Sequence, residues 1–285
     1  MAFSFDGPID FRIVCLFLIH NIYPMYNLGL ALCGGGSKGI AHAGVIKLLN
    51  EKGIVPDVLA GTSAGAIVAT MYAAGKTPEE IVGFFKSVYF FKWNHFAFRK
   101  PGGFIQSDVF EKYLKPIFKD RKLGDLDRKV FVTATNIISG KLEVFGGEVK
   151  VVDAVIASCA VPMVATPYRI GNHLYSDGGI LNNFPVDVLK YVSRKNIGVY
   201  FSQQKTIEES SLKNLFDITA RAYDIMTTQA ELGKITNCDW LINPAGLQKY
   251  KMFETKIERM NEIFEIGYKT AAESYELNKN VLGVN

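Results

Sequence analysis

The sequence predicts an α/β protein, with a three-layer α/β/α arrangement around a mainly parallel central sheet and additional helices towards the C-terminus. Two observations predict this fold class. A strand, a glycine-containing turn and a helix follow one another twice within residues 26–75, and this order is typical of a parallel sheet covered by helices. The 285 residues also suffice for one large domain, and no Pro-, Gly- or Ser-rich linker divides the chain.

The individual elements follow from short apolar runs, which predict buried strands, and from apolar residues at helical spacing, which predict helices. Gly53 and Gly75 stand where the first two helices should stop, because glycine commonly caps the C-terminus of a helix. Strands are expected at 26–32, 54–61, 129–137, 142–146, 196–202 and 239–244, and helices at 40–53, 64–75, 151–160, 209–235 and 253–279.

The composition is that of an ordinary globular protein, since 48% of the residues are hydrophobic and 21% are charged. The net charge is +4, but residues 86–122 alone carry nine Lys or Arg against three acidic residues, which gives +6. A basic surface of this kind favours anionic partners, either lipid headgroups or nucleic acid. The cysteines are far apart and form no C-x-x-C pair, which predicts reduced, buried thiols in a reducing compartment: Cys15, Cys33, Cys159 and Cys238.

The first 24 residues read as an extension that precedes the domain. The apolar run 11–19 is too short to span a bilayer, and it lacks the basic start and the small-residue cleavage site of a signal peptide. Met25 falls directly before the first predicted strand. Residues 1–24 are therefore interpreted either as an extension upstream of the native start or as an anchor that touches a membrane.

The stretch GGGSKG satisfies the pattern G-x-G-x-x-G through Gly34, Gly36 and Gly39, directly after a strand and before a helix. This is the context of a dinucleotide-binding fingerprint, but the acidic residue expected at the end of the second strand is missing, because Asp57 lies inside that strand. Lys38 precedes the final glycine, which argues against a P-loop. The same backbone N–H groups could stabilise the oxyanion of an ester hydrolysis, or the glycines could simply permit a tight turn.

Ser63 lies in the frame G-x-S-x-G with Gly61 and Gly65, between a predicted strand and a predicted helix. This placement is typical of a nucleophile elbow, a sharp turn that presents the serine hydroxyl for attack. The positive N-terminal end of the helix also favours the negative charge that develops during the reaction. Ser63 is therefore a candidate nucleophile.

Two residues could take the proton of Ser63. His173 is the best placed of the four histidines. Asp177 ends a predicted strand and is followed by Gly178 and Gly179, so that another backbone can approach it closely. A carboxylate acts as a general base where its pKa and geometry suit, although Asp-Gly-Gly is also a common turn.

Three motifs, in this order, resemble the signatures of the patatin-like phospholipase family: GGGSKG, GTSAG and DGG. The segment SCAVPMVATP before DGG is also similar to a small-residue and proline segment of that family. The resemblance extends from about Met25 to Val192, and Lys38 stands where the family has Arg or Lys. Members of the family use a Ser–Asp dyad, and their glycine loop supplies the oxyanion hole.

The resemblance implies a patatin-like fold and roles for individual residues. Ser63 would be the nucleophile and Asp177 its general base, without a metal or another cofactor. The oxyanion hole would be formed by the backbone N–H groups of Gly34, Gly35, Gly36 and Ser37. The supporting motif residues would be Lys38, Gly39, Gly61, Gly65, Gly178 and Gly179.

The implied function is hydrolysis of phospholipid or lysophospholipid esters through an acyl-enzyme. An acyltransferase or thioesterase with the same acyl-enzyme is one alternative, and a non-catalytic nucleotide- or lipid-binding protein that uses only the glycine loop is another. Peripheral contact with a membrane surface is expected and binding to nucleic acid is not. The expected location is the cytoplasm, either free or at the membrane surface, and the sequence does not predict the oligomeric state.

The domain organisation follows from these interpretations, with residues 1–24 as the extension and residues 25–285 as a single acyl hydrolase domain. Residues 84–104 contain nine aromatic residues interleaved with Lys and Arg. Such a composition suits a membrane interface, the wall of an acyl-chain pocket or an ordinary core. We therefore expect an aromatic and basic cap or flap at 84–122 and a helical C-terminal part at 205–285.

Overall fold

A computed structural model of the chain describes residues 26–88, 103–105, 110–201, 206–250, 252 and 254–281. The expected extension at residues 1–24, most of the aromatic stretch and Cys15 lie outside the described residues. Within the described part, three cysteines are free thiols; Cys33 and Cys159 are buried and Cys238 is half-buried.

The described residues form an alternating series of strands and helices that begins with strand, turn and helix, as predicted. The strands are β1 (Tyr26–Leu32), β2 (Val58–Thr62), β3 (Gly103–Ile105), β4 (Lys129–Asn136), β5 (Lys141–Phe145), β6 (Met163–Ala165), β7 (Tyr168–Ile170), β8 (His173–Asp177), β9 (Ser193–Val199) and β10 (Trp240–Ile242). The helices are α1 (Ile40–Glu51), α2 (Ala64–Ala73), α3 (Pro78–Ser87), α4 (Glu111–Phe118), α5 (Val151–Ser158), α6 (Val186–Leu189), α7 (Leu215–Glu231) and α8 (Ile257–Asn278).

Eight of these strands form the central sheet, in the order β10-β9-β1-β2-β4-β8-β7, with β5 paired to the other edge of β4. The strands from β10 to β4 along this order are parallel, whereas β5, β7 and β8 are antiparallel to their neighbours. Helix α2 packs against β1, β2 and β4, and α5 packs against β4 and β8. The predicted α/β class with a mainly parallel sheet is confirmed.

Helix α3 is an element that the apolar pattern did not predict, although the sequence contains a signal for it. Thr77 accepts the N–H of Glu80 at 3.1 Å while the Glu80 carboxylate accepts the N–H of Thr77 at 2.8 Å, and Pro78 occupies the first turn. This is a capping box with a proline at the helix start. Phe84 and Phe85 of α3 are buried in the core, so the beginning of the aromatic stretch contributes to core packing.

The remaining differences from the predicted elements lie mostly at boundaries. Strand β2 begins at Val58 rather than at 54, because the preceding connection contains Pro56, which has no N–H to donate to a strand ladder. The predicted strand 196–202 is observed earlier in the chain, as β9. The long C-terminal helices α7 and α8 are present within their predicted ranges. In the part of the chain that the structure describes, no helix combines the length and the apolar character needed to cross a membrane.

Strands β2 and β8 end against each other along the same edge of β4. Strand β5 occupies one edge of β4 over residues 132–136, so β2 and β8 must share the other edge. On that edge Thr62, the last residue of β2, pairs with Thr133, and Asp177, the last residue of β8, pairs with the next residue, Ala134. The carboxyl ends of two distant strands therefore meet.

Helices α1 and α8 pack closely because each has a glycine at their contact. A Cβ atom built on Gly44 would lie 2.2 Å from the carbonyl oxygen of Phe264, and one built on Gly267 would lie 2.1 Å from that of Ala41. Real Cβ atoms do not approach oxygen so closely, so any side chain at these positions would force the two helices apart.

We expect Gly44→Ala to lower the free energy of unfolding by about 1–3 kcal/mol, because overpacking at the α1–α8 contact outweighs the higher helix propensity of alanine. Gly83→Ala is the matched control: Gly83 lies in α3 with open space around its missing Cβ, and its replacement should stabilise the fold by up to about 1 kcal/mol. Urea denaturation of both variants measures the difference. Equal stability of the two variants would contradict the packing of α8 on α1.

Candidate active site

Ser63 occupies a strained turn between β2 and α2. Its backbone has φ 52° and ψ −120°, an unusual conformation for a residue with a side chain. The Ser63 N–H donates to Ser158 Oγ at 2.8 Å, which helps to hold the turn. The side chain is largely buried but lines the pocket described below. The structure thus gives Ser63 the nucleophile-elbow geometry at the N-terminus of a ten-residue helix.

The two glycines that frame Ser63 permit this turn by close packing. A Cβ atom on Gly65 would lie 2.1 Å from the carbonyl oxygen of Leu32, at the end of β1, and one on Gly61 would lie 2.5 Å from the carbonyl oxygen of Gly65. Helix α2 can therefore begin directly against the sheet. A side chain at either position would displace Ser63 from the pocket.

Asp177 lies at the end of β8 and is 2% exposed. Its N–H donates to the carbonyl oxygen of Ala160 at 2.9 Å. Asp177 Oδ1 accepts the N–H of Gly179 at 2.7 Å and faces the hydroxyl of Tyr223 at 3.5 Å. Oδ2 has no hydrogen-bond partner among the described residues. Gly178 lies against the carbonyl oxygen of Thr133, so the turn after Asp177 packs tightly on β4.

Burial raises the pKa of Asp177 from 3.8 to about 6, and this outweighs the hydrogen bonds of Ser63, Gly179 and Tyr223, which lower it. Ser63 is thus one of the groups that lower the pKa of the carboxyl group predicted to be the general base. A pKa near 6 means that the group is mostly ionised at pH 7 and can still bind a proton readily. Such a value suits a residue that first takes and then returns a proton.

The glycine loop lies beside Ser63 and forms a 3₁₀ turn at Gly36–Gly39. A Cβ atom on Gly34 would lie 3.3 Å from Ser63 Cβ, and one on Gly39 would lie 2.6 Å from the Cβ of Ala64. The loop and the nucleophile elbow are therefore in direct contact, as the predicted oxyanion hole requires.

Among the residues that the structure describes, two of the four expected oxyanion donors have an N–H with an acceptor and two do not. The N–H of Gly34 donates to the carbonyl oxygen of Asn183 at 3.0 Å, and that of Ser37 donates to Met252 at 2.8 Å. The N–H groups of Gly35 and Gly36 have no acceptor within the described residues. The expectation that all four amides are available is therefore corrected, because backbone carbonyls of the later chain already occupy the first and the last.

One pocket brings these groups together. Ser63, Asp177 and the glycine loop line it, with Lys38 on the same wall. The remaining lining is largely apolar and comes from Cys33, Ala64, Ile67, Phe85, Phe110, Cys159, Val161, Val164, Ala165, Phe201 and Met252, with polar side chains from Asn183, Tyr223, Asp224, Thr227 and Thr228.

The described histidines lie outside this pocket. His42 is fully buried in α1, where its Nε2 bonds to the carbonyl oxygen of Cys33 at 2.8 Å and its ring stacks on Phe201. Burial lowers its pKa to about 3, which keeps the ring neutral. His173 lies at the opposite end of β8 from Asp177 and contacts Asn136 Nδ2 through Nδ1 at 3.2 Å. His20 and His95 are outside the described residues.

Asp57 does not supply the acidic partner that a dinucleotide site would need beside the glycine loop. Its carboxylate accepts the N–H groups of Asn27 and Leu28, at 3.1 and 3.0 Å. These residues lie at the start of β1, whereas the glycine loop follows its end. A dinucleotide site at the glycine loop would therefore lack the acidic residue that binds the ribose.

Several pocket residues carry no local sequence signal. Tyr223, Asp224, Thr227 and Thr228 lie on α7, and Met252 lies beyond β10. Their position depends on how α7 and the following chain fold back onto the sheet, which no short motif encodes. The amphipathic pattern of α7 predicted the helix but not the surface on which it packs.

Comparison with known proteins agrees with the fold and the motifs. The family model described as patatin-like phospholipase matches residues 30–190. The "Uncharacterized NTE family protein MT2641" of Mycobacterium tuberculosis is 26% identical over 277 residues, and the match covers 81% of this chain and 45% of that protein. The "Uncharacterized protein YqhO" of Bacillus subtilis is 29% identical, and the match covers 68% of this chain and 78% of that protein.

A solved structure shares the same fold. The crystal structure of VipD from Legionella pneumophila superposes with a TM-score of 0.60 at 16% identity, covering 90% of this chain and 67% of that one. At this identity the likeness concerns the fold alone. The chain spans about 45% of the length of the mycobacterial relative, so the activity of a whole relative does not transfer to it directly.

We expect Asp177→Asn to stabilise the fold above pH 6. The folded-state pKa is raised, so the contribution of Asp177 is fully present below pH 3.8 and is lost as the pH rises through about 6, where the buried group ionises. Asparagine avoids this ionisation. The difference of about two pKa units corresponds to about 3 kcal/mol at pH 8, falling towards zero below pH 4.

Urea denaturation between pH 4 and pH 8 measures this stability difference. Asp127→Asn is the control, because the Asp127 side chain is 65% exposed and its replacement should leave the pH dependence as in the wild type. If the stability difference between Asp177→Asn and wild type stayed constant with pH, burial would not raise the pKa of Asp177.

Proposed function

Because the chain belongs to the patatin-like phospholipase family, we propose that it is a serine hydrolase of lipid carboxylic esters that uses a Ser63–Asp177 dyad. The observation that carries this proposal is the meeting of three groups in one pocket: the strained Ser63, the buried Asp177 and the free N–H groups of Gly35 and Gly36. Nucleophile, base and oxyanion donors are the components that acyl transfer needs.

The proposed reaction begins when Ser63 Oγ attacks the ester carbonyl carbon and its proton passes to Asp177. The carbonyl oxygen becomes an oxyanion, which accepts hydrogen bonds from the N–H groups of Gly35 and Gly36. The C–O bond to the alcohol then breaks, and Asp177 returns the proton to the leaving alkoxide. Water attacks the acyl-Ser63 ester with Asp177 again as base, which releases the fatty acid and regenerates the hydroxyl.

The substrate class is supported by the lining of the pocket. Its apolar side chains, among them Ile67, Phe85, Phe110 and Val164, suit an acyl chain. Lys38, half-buried on the wall formed by the glycine loop, supplies a cation near the reacting ester; burial lowers its pKa, and the nearby Asp224 opposes this effect. An apolar chain with an adjacent anion describes a phospholipid or a lysophospholipid.

An acyltransferase or thioesterase would form the same acyl-enzyme and differ only in the acceptor or the leaving group. Analysis of the acyl product separates hydrolysis, which releases free fatty acid, from transfer, which forms a new ester. A thioesterase also releases free fatty acid and is distinguished by comparing turnover of a thioester with turnover of the matching oxygen ester. We propose hydrolysis, with water as the acceptor.

We expect Ser63→Ala and Asp177→Asn each to lower the hydrolysis of p-nitrophenyl esters by at least about a thousandfold while the protein remains folded. In the wild type, kcat/KM should increase with acyl-chain length. It should also fall about tenfold per pH unit below pH 6, because protonated Asp177 cannot accept the Ser63 proton.

His173→Ala is the matched control for the base. His173 lies outside the pocket, so its removal should leave kcat/KM and the pH profile unchanged. Near-normal turnover by Asp177→Asn, combined with a loss in His173→Ala, would replace the dyad by a serine–histidine pair. Absence of turnover in folded wild-type protein would contradict the proposed function itself.

We also propose peripheral contact with a lipid surface through one face of α7. The opposite face of this helix contributes Tyr223, Thr227 and Thr228 to the pocket. The outer face carries exposed apolar side chains at helical spacing, from Leu215, Ile218, Ile225 and Met226 to Leu232 just after the helix. A lipid surface that covered this face would lie beside the pocket.

We expect the double replacement Ile218→Glu with Met226→Glu to weaken binding to phosphatidylcholine vesicles about tenfold or more, because two exposed apolar side chains lose their contact with lipid. Vesicle cosedimentation measures the binding. Leu277→Glu is the control, since Leu277 is even more exposed than Ile218 and Met226 but lies on α8. Hydrolysis of the soluble p-nitrophenyl butyrate should not change, and equal vesicle binding by all three proteins would contradict this contact.

A further inference from the structure

The polar groups of Ser37 bind a segment that lies more than two hundred residues further along the chain. The N–H and the hydroxyl of Ser37 each donate to the carbonyl oxygen of Met252 at 2.8 Å, and Ser37 Oγ accepts the N–H of Glu254 at 2.7 Å. Ser37 is 4% exposed. The glycine loop cannot move away from this segment without leaving buried polar groups unpaired.

The carbonyl group of Met252 also fixes Gly36. Gly36 has φ 60°, and a Cβ atom built on it would lie 2.2 Å from the Met252 oxygen. That oxygen occupies the space where a side chain would stand, so only glycine fits. Gly36 lines the pocket and keeps a free N–H, which is one of the two donors available to an oxyanion. The position of this donor therefore depends on Met252.

The segment has an anchor of its own. The buried carboxylate of Glu254 accepts the N–H groups of Thr255 and Lys256, at 3.1 and 3.3 Å, and it pairs with Arg259 at 3.0 Å. Arg259 lies in the first turn of α8, which packs on α1. Helix α8 thus holds Glu254 in place, and Met252 and Glu254 in turn hold the glycine loop.

We propose that Ser37 is a positioning residue that clamps the glycine loop to Met252 and Glu254, and that this clamp sets the direction of the Gly36 N–H towards the oxyanion. Ser37 itself is not an oxyanion donor, since both of its donor groups are engaged. The inference rests on the proposed ester hydrolysis, because its consequence is expressed through the oxyanion. It assigns part of the oxyanion hole to a segment outside the region that matches the family model, residues 30–190.

Ser37→Ala tests this role, because it removes the hydroxyl and leaves the N–H of Glu254 without its acceptor. We expect kcat for p-nitrophenyl esters to fall about tenfold with KM changed less than about threefold, since an oxyanion donor acts on the transition state more than on the bound ester. Affinity for a long-chain trifluoromethyl ketone, which forms an oxyanion adduct with a serine, should fall in parallel with kcat. Affinity for the corresponding fatty acid should remain unchanged.

Ser193→Ala is the matched control. Ser193 is also a buried serine, and its hydroxyl contacts Leu189 O at 3.0 Å and Asn196 Oδ1 at 2.6 Å, away from the pocket. This variant should show a similar loss of stability with unchanged kcat and unchanged affinity for the ketone. Equal kcat and ketone affinity in Ser37→Ala and wild type would overturn the proposal while the proposed ester hydrolysis stands.

A second measurement keeps the clamp testable if Ser37→Ala folds poorly. Arg259→Met removes the ion pair that anchors Glu254. It should accelerate amide hydrogen exchange in the peptide that contains residues 33–39, and it should lower kcat as Ser37→Ala does. Exchange in this peptide is also readable if wild-type protein hydrolyses no ester, so a failure of the proposed function is distinguished from a failure of the clamp. Unchanged exchange in a folded Arg259→Met variant would overturn the proposal.

Discussion

The strands that carry Ser63 and Asp177 end against each other along one edge of β4, and the rest of the site depends on that junction. Hydroxyl groups lock it from within the core. Thr62 Oγ1 lies 2.6 Å from Thr133 Oγ1 and donates to the carbonyl oxygen of Asn182, in the turn after β8, at 2.8 Å. Thr135 Oγ1 donates to the carbonyl oxygen of Asp177 at 3.0 Å. The junction brings two residues more than a hundred positions apart together on regular secondary structure. Such a site is more precisely placed than one built on loops alone.

Burial of the junction gives the proposed base, a carboxylate in place of a histidine, a suitable pKa. In water an aspartate has a pKa near 4 and is a weak base, but the apolar surroundings of Asp177 raise its pKa to about 6. The same desolvation disfavours the ionised form in the folded protein, so basicity is gained at the expense of stability. The strained backbone of Ser63 carries a similar cost. Both costs are tolerated because tight packing of α2 and β8 on the sheet leaves these two residues no alternative position.

The sequence allowed prediction of those features that local chemistry encodes. The glycine loop, the elbow at Ser63 and the turn after Asp177 each combine a strand end with glycines that permit close backbone approach. Helix α3 was also encoded, by the capping box at Thr77 and by apolar residues at helical spacing, but it was not among the predicted helices. By contrast, the sequence could not predict which backbone N–H groups of the glycine loop are available to an oxyanion. The N–H of Ser37 is engaged because Met252 folds back beside it, and a contact across such a distance leaves no trace in the motif.

The division between predicted and unpredicted features coincides with a division within the pocket. The proposed dyad and the glycine loop come from the part of the chain that matches the family model, whereas the pocket residues Phe201, Tyr223, Asp224 and Met252 come from the part beyond it. The two residues of the proposed dyad lie at the end of a strand of the sheet and at the start of α2. Lining residues placed on α7 can change without disturbing a strand of the sheet, because α7 contacts the pocket on one face and solvent on the other. Substitutions that alter substrate choice while preserving the reaction should therefore concentrate on the inner face of α7, and substitutions in the β2–β4–β8 junction should affect every substrate alike.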